Sequence, residues 1–98
     1  MTNTASQTWY VYVVECVDGT LYTGISIDPQ RRVKQHNAGH AARYTRTRAP
    51  VRLLGYIAAG DRGDALRMER RVKMWRSMRK RSVFEAAESQ HNQGDTEI

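Results

Sequence analysis

Two runs of strand-forming residues joined by a three-residue turn leave residues 9–27 little choice of fold. Trp9 to Cys16 (WYVYVVEC) is aromatic and β-branched, Val17-Asp18-Gly19 supplies the turn, and Thr20 to Ile27 (TLYTGISI) is a second strand-like run. Side chains alternate across a sheet, so a slip of one residue exchanges its two faces. A two-residue Asp18-Gly19 turn would pair Cys16 with Leu21 and set Tyr12 and Tyr22 on opposite faces. A three-residue loop with Gly19 in the left-handed conformation pairs Cys16 with Thr20 instead. That register gathers Tyr10, Tyr12, Val14, Tyr22, Gly24 and Ser26 on one face and Val11, Val13, Leu21, Thr23 and Ile25 on the other. We prefer it, because packing against helices requires one apolar face.

Beyond the hairpin, Asp28-Pro29 reads as a helix start, an N-cap acceptor followed by proline at the first helical position, and Asn37 to Gly39 as its end. Arg32 and His36 are four apart and share one face of that helix. Ala41 to Arg52 (AARYTRTRAPVR) is basic and irregular, and Leu53 to Ala59 (LLGYIAA) predicts a third strand. Gly60 to Gly63 is expected to be a loop, with Asp64 capping a long helix to about Lys80. Along that helix Ala65, Met68, Val72 and Trp75 recur as a buried stripe with Glu69 at its border. A short last helix, capped by Ser82 and carrying Phe84, closes the core. The expected fold class is α+β: a small three-stranded antiparallel sheet flanked by helices, in the order β-β-α-β-α(-α).

With 98 residues the sequence accommodates one domain, which we bound at residues 9–88, with a flexible start at 1–8 and a disordered acidic tail at 89–98. No run of apolar residues is long enough to span a membrane, the first residues do not resemble a secretory signal, and the single cysteine, Cys16, excludes an internal disulfide framework. A cytoplasmic protein with no membrane partner is expected. Cys16 itself is most simply a buried strand residue.

Charge says more about partners. All sixteen Lys and Arg residues precede residue 85, whereas Glu85, Glu88, Asp95 and Glu97 follow, so residues 1–84 carry sixteen bases against six acids. Thirteen of the bases are arginine, whose planar fork suits bidentate contact with phosphate, and the expected partner is a nucleic acid.

Each group that could do chemistry also has a plainer account. Tyr10, Tyr12 and Tyr22 are good strand formers, but Gly24 leaves the backbone bare beside Tyr22, where another group could approach closely. Arg32 and His36 form a solvated basic face or a grip on phosphate. Glu69 is the acid in a basic run (RMERRVK), an exposed partner for Lys73 or, half shielded, a ligand for a Mg²⁺ ion that keeps most of its waters. No second carboxylate stands near it in sequence to make a two-metal site.

Taken together, Trp9 to Trp75 resembles the GIY-YIG nuclease superfamily. The two tyrosine triplets are Tyr10-Val11-Tyr12 and Tyr22-Thr23-Gly24, and the helical segment is Asp28-Pro29-Gln30-Arg31-Arg32-Val33-Lys34-Gln35-His36-Asn37. That segment is similar to the small stand-alone bacterial (YhbQ-like) members and to the eukaryotic structure-specific nuclease subunit. Tyr10 replaces the first glycine of the family name and Thr23 the second isoleucine, neither of which is a reacting group. The resemblance implies that Tyr12 and Tyr22 contact the attacking water, the metal's water shell or the scissile phosphate, one of them as general base. It further implies that Arg32 stabilises charge on the phosphate, that His36 completes the site, and that Glu69 holds one Mg²⁺ or Mn²⁺.

The function implied is a divalent-metal-dependent endonuclease that hydrolyses DNA and is structure-selective, in repair or recombination. Arg43, Tyr44, Arg46, Arg48 and Arg52 are the expected DNA-gripping surface, with Tyr44 available to stack on a base or sugar. The alternative is a non-catalytic nucleic-acid binding module of the same fold, with RNA or a protein of a repair complex as partner.

Overall fold

The computed structural model describes the backbone of residues 7–96 and the side chains of residues 7–87. Residues 1–6 and 97–98, and the side chains of 88–98, lie outside the described residues, and with them most of the expected flexible start; the backbone of 89–96, expected as a disordered tail, instead continues the last helix. Seven elements follow in order: β1 (Trp9–Glu15), β2 (Leu21–Ser26), α1 (Pro29–Asn37), α2 (Arg43–Arg46), β3 (Arg52–Gly60), α3 (Arg62–Lys73) and α4 (Ser77–Thr96). The fold is α+β, a three-stranded antiparallel sheet in the order β2-β1-β3 with helices on both faces.

The hairpin adopts the register of the three-residue loop. Tyr12 pairs with Gly24 and Val14 with Tyr22, the amide of Cys16 donates to the carbonyl of Thr20 at 2.8 Å, and Gly19 stands at φ 87°. A positive φ there is what glycine supplies without steric cost. β1 is the central strand, and both of its faces are covered. Val11 and Val13 join Leu54, Val72 and Phe84 in one core beneath α3 and α4, while Tyr12, Val14, Cys16 and Val51 form a second core on the side of α1. This explains why β1 reads as a continuous apolar run rather than a simple alternation.

The helix boundaries revise the reading of the sequence. Asp28 caps α1 as expected, accepting from the amide of Arg31, and Gly39 follows the helix at φ 80°. The N-cap of α3, however, is Asp61 and not Asp64. The amide of Asp64 donates to Asp61 Oδ1 at 2.8 Å and the amide of Asp61 to Asp64 Oδ2 at 3.1 Å, a reciprocal capping box that extends the helix back across the expected loop.

The helix also ends early. α3 stops at Lys73, the amide of Trp75 bonds back to the carbonyl of Val72, and α4 begins at Ser77, so Phe84 lies inside a helix and Ser82 does not cap one. Neither glycine nor proline marks that break, and the apolar spacing runs through it because Trp75 still packs against Phe84, their rings 6.4 Å apart. The Ala65, Met68, Val72 and Trp75 stripe is buried or packed on the core as expected. Gly55 lies under α4, where any Cβ would collide with the Phe84 carbonyl.

Within the stretch expected to be irregular, Arg43–Arg46 forms one helical turn. Asn37 fastens the end of α1 to the start of β3: its Nδ2 donates to the carbonyl of Val51 at 3.1 Å, and the Val51 amide donates to its Oδ1 at 2.6 Å. The basic segment is thereby closed into a loop that folds back over the Tyr12 face.

Candidate active site

The site lies where α1 and α2 cover the sheet. Tyr12 and Tyr22 come from adjacent strands, offset so that Gly24 is the residue opposite Tyr12. A Cβ at Gly24 would meet the Tyr12 hydroxyl at 2.5 Å, so the group that uses the bare backbone is the other motif phenol. The Tyr12 ring lies across that gap, which carries its hydroxyl toward α1.

There it meets His36. The Tyr12 hydroxyl and His36 Nε2 are 2.8 Å apart, with both residues 1% exposed. Tyr22 packs its ring edge-on against the same imidazole, centroids 5.3 Å apart. On the far side of the ring, His36 Nδ1 lies 2.7 Å from Oγ1 of Thr45, whose hydroxyl donates to the carbonyl of Ala42 at 3.1 Å. Thr45 is wholly buried, and no motif or spacing singles it out in the sequence.

The electrostatics hold both members of the pair neutral. Burial pushes the Tyr12 phenol up to about 12, against the opposing influence of Arg32 beside it, and the negative charge of Glu69 adds to the rise. Burial, reinforced by the positive charge of Arg32, brings His36 down to about 4. Desolvation disfavours the charged form of each, so at neutral pH the proton stays on the phenol.

Arg32 is oriented from within its own helix, its Nη1 donating to Gln35 Oε1 at 2.8 Å. Its Nε is buried without a hydrogen-bond partner among the described residues. Glu69, one turn from the end of α3, has its side chain 17% exposed and pairs through Oε2 with Lys73 Nζ at 3.4 Å. The partner for Lys73 and the half-shielded carboxylate are therefore both present in one residue. Among the described residues no cluster of three or more His, Cys, Asp or Glu could enclose a metal. What remains is a single carboxylate, which suits Mg²⁺ that keeps most of its waters.

Of the residues expected in the site, His36 meets the Tyr12 phenol, Tyr22 packs on His36, Arg32 lies beside the phenol, and Glu69 on α3 acts on it through its charge. The expected DNA-gripping surface is not held together in the same way. Tyr44 stacks on Tyr22, centroids 6.0 Å apart, and lies 3.9 Å beneath the guanidinium of Arg48, while 37% of the residue stays exposed. Arg48 is further held by Asp18 at 3.2 Å, and Arg52 by Glu15 at 2.9 Å. Arg43 and Arg46 are the two of the four arginines that stay exposed with no ion pair among the described residues. A cleft of about 600 Å³ opens on the other side of Arg32, lined by Trp9, Arg31, Arg32, Gln35 and Arg62, and nothing in the sequence pattern hints at it.

Residues 8–82 match the GIY-YIG catalytic domain. The chain belongs to the GIY-YIG family. A UPF0213 protein of Cupriavidus pinatubonensis is 46% identical over 72 residues, 74% of this chain and 80% of that one. A second UPF0213 protein, from Halobacterium salinarum, is 47% identical over 75 residues, 76% of this chain and 97% of that protein. The solution structure of a UPF0213 protein from Bacillus halodurans is 41% identical and covers 78% of this chain and 81% of that chain, with a TM-score of 0.47. GIY-YIG membership places the chain in a nuclease family, and among its described residues no helix is long and apolar enough to cross a membrane.

Proposed function

We propose that this chain is a divalent-metal-dependent endonuclease that hydrolyses DNA phosphodiester bonds, selecting its substrate by structure, in repair or recombination. The observation that carries the reading is the buried contact of 2.8 Å between Tyr12 and His36, on which Arg32 and Glu69 both act electrostatically. A strand-forming tyrosine needs no such company.

Tyr12 in its resting state is a neutral phenol and no base. It becomes one only in step with His36. As the water oxygen bonds to phosphorus, one water proton passes to the Tyr12 oxygen and the Tyr12 proton passes to Nε2 of His36. The bond from phosphorus to the leaving oxygen breaks and that oxygen takes a proton from solvent, while Nε2 of His36 returns its proton to the Tyr12 oxygen as Tyr12 releases the water's proton outward, which restores the neutral pair. Arg32 adds positive charge where the phosphate gains negative charge, and its unpartnered Nε is a donor that a phosphate oxygen would satisfy. Glu69 fits one Mg²⁺ or Mn²⁺, and such an ion supplies charge neutralisation at the phosphate when bound.

Shape selection follows from the surroundings. Arg43, Arg46, Arg31 and Arg62 are suited to phosphates, which position a duplex without reading its sequence. Branched and damaged DNA, the products and intermediates of repair and recombination, differ from ordinary duplex in that backbone path. Cleavage of labelled duplex, single strand, flap and four-way junction DNA and one RNA, with Mg²⁺ or Mn²⁺, tests the reading. Wild type should cut in the presence of metal, and Glu69→Ala should bind without cutting. Binding by both with cutting by neither would make the chain a binding module; cutting that survives the loss of Glu69 would remove the metal site.

A further inference from the structure

Neither ring nitrogen of His36 is free, and the partners of Nδ1 decide what Nε2 can do. Thr45 Oγ1 stands 2.7 Å from Nδ1 and 3.1 Å from the carbonyl oxygen of Ala42. A hydroxyl has one proton to give, and a carbonyl can only accept. With the Thr45 proton committed to Ala42, the Thr45 oxygen meets Nδ1 as an acceptor. Nδ1 therefore carries the ring proton, Nε2 presents a lone pair, and the Tyr12 hydroxyl donates to it.

The opposite arrangement is chemically distinct. If Thr45 donated to Nδ1, the ring proton would sit on Nε2 and point at the Tyr12 oxygen, and His36 would have no lone pair to receive the phenol proton. The Ala42 carbonyl, which also accepts from the amide of Arg46 at 3.2 Å, would then lose the hydroxyl donor, and the wholly buried Thr45 oxygen would be left with no proton to give it. One backbone carbonyl thus sets the direction of three consecutive hydrogen bonds.

We infer that Thr45 is a positioning residue, which accepts from Nδ1–H and so holds His36 in the tautomer whose Nε2 can take the proton of Tyr12. Its catalytic meaning rests on the nuclease reading above; the tautomer belongs to the folded protein alone. The placement also links two tasks. Ala42 is the N-cap of α2 and Thr45 lies within it, between the exposed Arg43 and Arg46. The turn that carries two cations toward the substrate is the one that orients the imidazole.

Long-range ¹H–¹⁵N correlation spectra of the full chain read the tautomer directly, with the signals of His36 identified by their loss in His36→Gln. Wild type should show a protonated Nδ1 and a bare Nε2. Thr45→Val, which keeps the shape and removes the acceptor, should move the ring toward the Nε2–H form. It should lower kcat by at least about tenfold with little change in KM, since the loss falls on proton transfer and not on binding. Thr45→Ser should restore both.

A wild-type ring protonated at Nε2, or a folded Thr45→Val that keeps the Nδ1–H ring and full kcat, would overturn the assignment. Should Thr45→Val lose the amide spectrum of a folded chain, the wild-type and Thr45→Ser rings still decide it. A wild type that cleaves none of the substrates overturns the nuclease reading instead, and an Nδ1–H ring in that same sample would still support the hold of Thr45 on His36.

Discussion

The hydroxyl of Tyr12 and Nε2 of His36, 24 residues apart in sequence, meet at 2.8 Å in a place where each residue is 1% exposed. The hairpin brings the phenol and α1 brings the imidazole. Their separation in acidity, about 12 against about 4, keeps the pair neutral until a substrate and its charges arrive. A site that stored tyrosinate and imidazolium at rest would bury two charges, and burial opposes both.

That balance gives the protein a pH dependence whose sign is fixed. His36 titrates at about 4 folded and near its ordinary 6.5 unfolded, so between those values the unfolded chain binds the extra proton. Stability contributed by neutral His36 is fully present above pH 6.5 and is lost as pH falls toward 4, in total on the order of 3 kcal/mol. Urea unfolding at about pH 7 and about pH 4.5 of wild type and His36→Gln measures it as the difference between the two proteins. Equal pH sensitivity in both would mean that His36 is not held neutral by the fold.

Gly24→Ala should disturb Tyr12 before it disturbs the strand. The added Cβ would meet the phenol oxygen at 2.5 Å and its ring carbon Cζ at 2.7 Å, and His36 blocks the obvious retreat. Overpacking of this kind costs about 1–3 kcal/mol, against the small gain from replacing glycine in a strand. A lower melting temperature together with impaired cleavage is expected. A variant as stable and as active as wild type would show that the phenol does not need the gap.

How much of the fold and site is legible in the sequence follows physical lines. The register is, because alternation separates the two faces and Gly19 permits the positive φ of the three-residue loop. So is α1, since Asp28 and Pro29 mark its start chemically. The boundary between α3 and α4 is not: the apolar period passes through Trp75 while the hydrogen bonds do not. Asp64 looks like the cap because it begins the apolar stripe, although Asp61 three residues earlier completes the box. Thr45 and Asn37 carry no local signal because their roles depend on partners nine and fourteen residues away in sequence. The arginines between 43 and 52 announce their charge but not the acids that neutralise half of them, since Asp18 and Glu15 come from the hairpin.

On the opposite face of the sheet, Thr23 offers a stabilising change. It is 2% exposed on the apolar face, opposite Val13, and its Oγ1 has no hydrogen-bond partner among the described residues. An unsatisfied buried hydroxyl costs about 1–3 kcal/mol, and valine has the same shape without it. Thr23→Val should raise the urea midpoint at unchanged slope, with cleavage unaffected. A lower midpoint would mean that a buried water serves the hydroxyl.

The division among the arginines is open to a measurement that separates charge from structure. Arg43 and Arg46 are exposed on α2, whereas Arg48 and Arg52 are engaged with Asp18 and Glu15. If the first two meet phosphates of a duplex, the double variant Arg43→Ala/Arg46→Ala should bind DNA with a log K against log salt slope shallower by about 1.8, near 0.9 for each phosphate no longer neutralised. Arg52→Ala should leave that slope unchanged, because its charge is already shared with Glu15. Single-turnover cleavage by the double variant at saturating protein should persist, since the groups placed around the Tyr12 phenol are all retained. A slope that does not change in the double variant would move the nucleic-acid interface off α2. The cleft lined by Arg31, Arg32 and Arg62 would then be the next cationic surface to test.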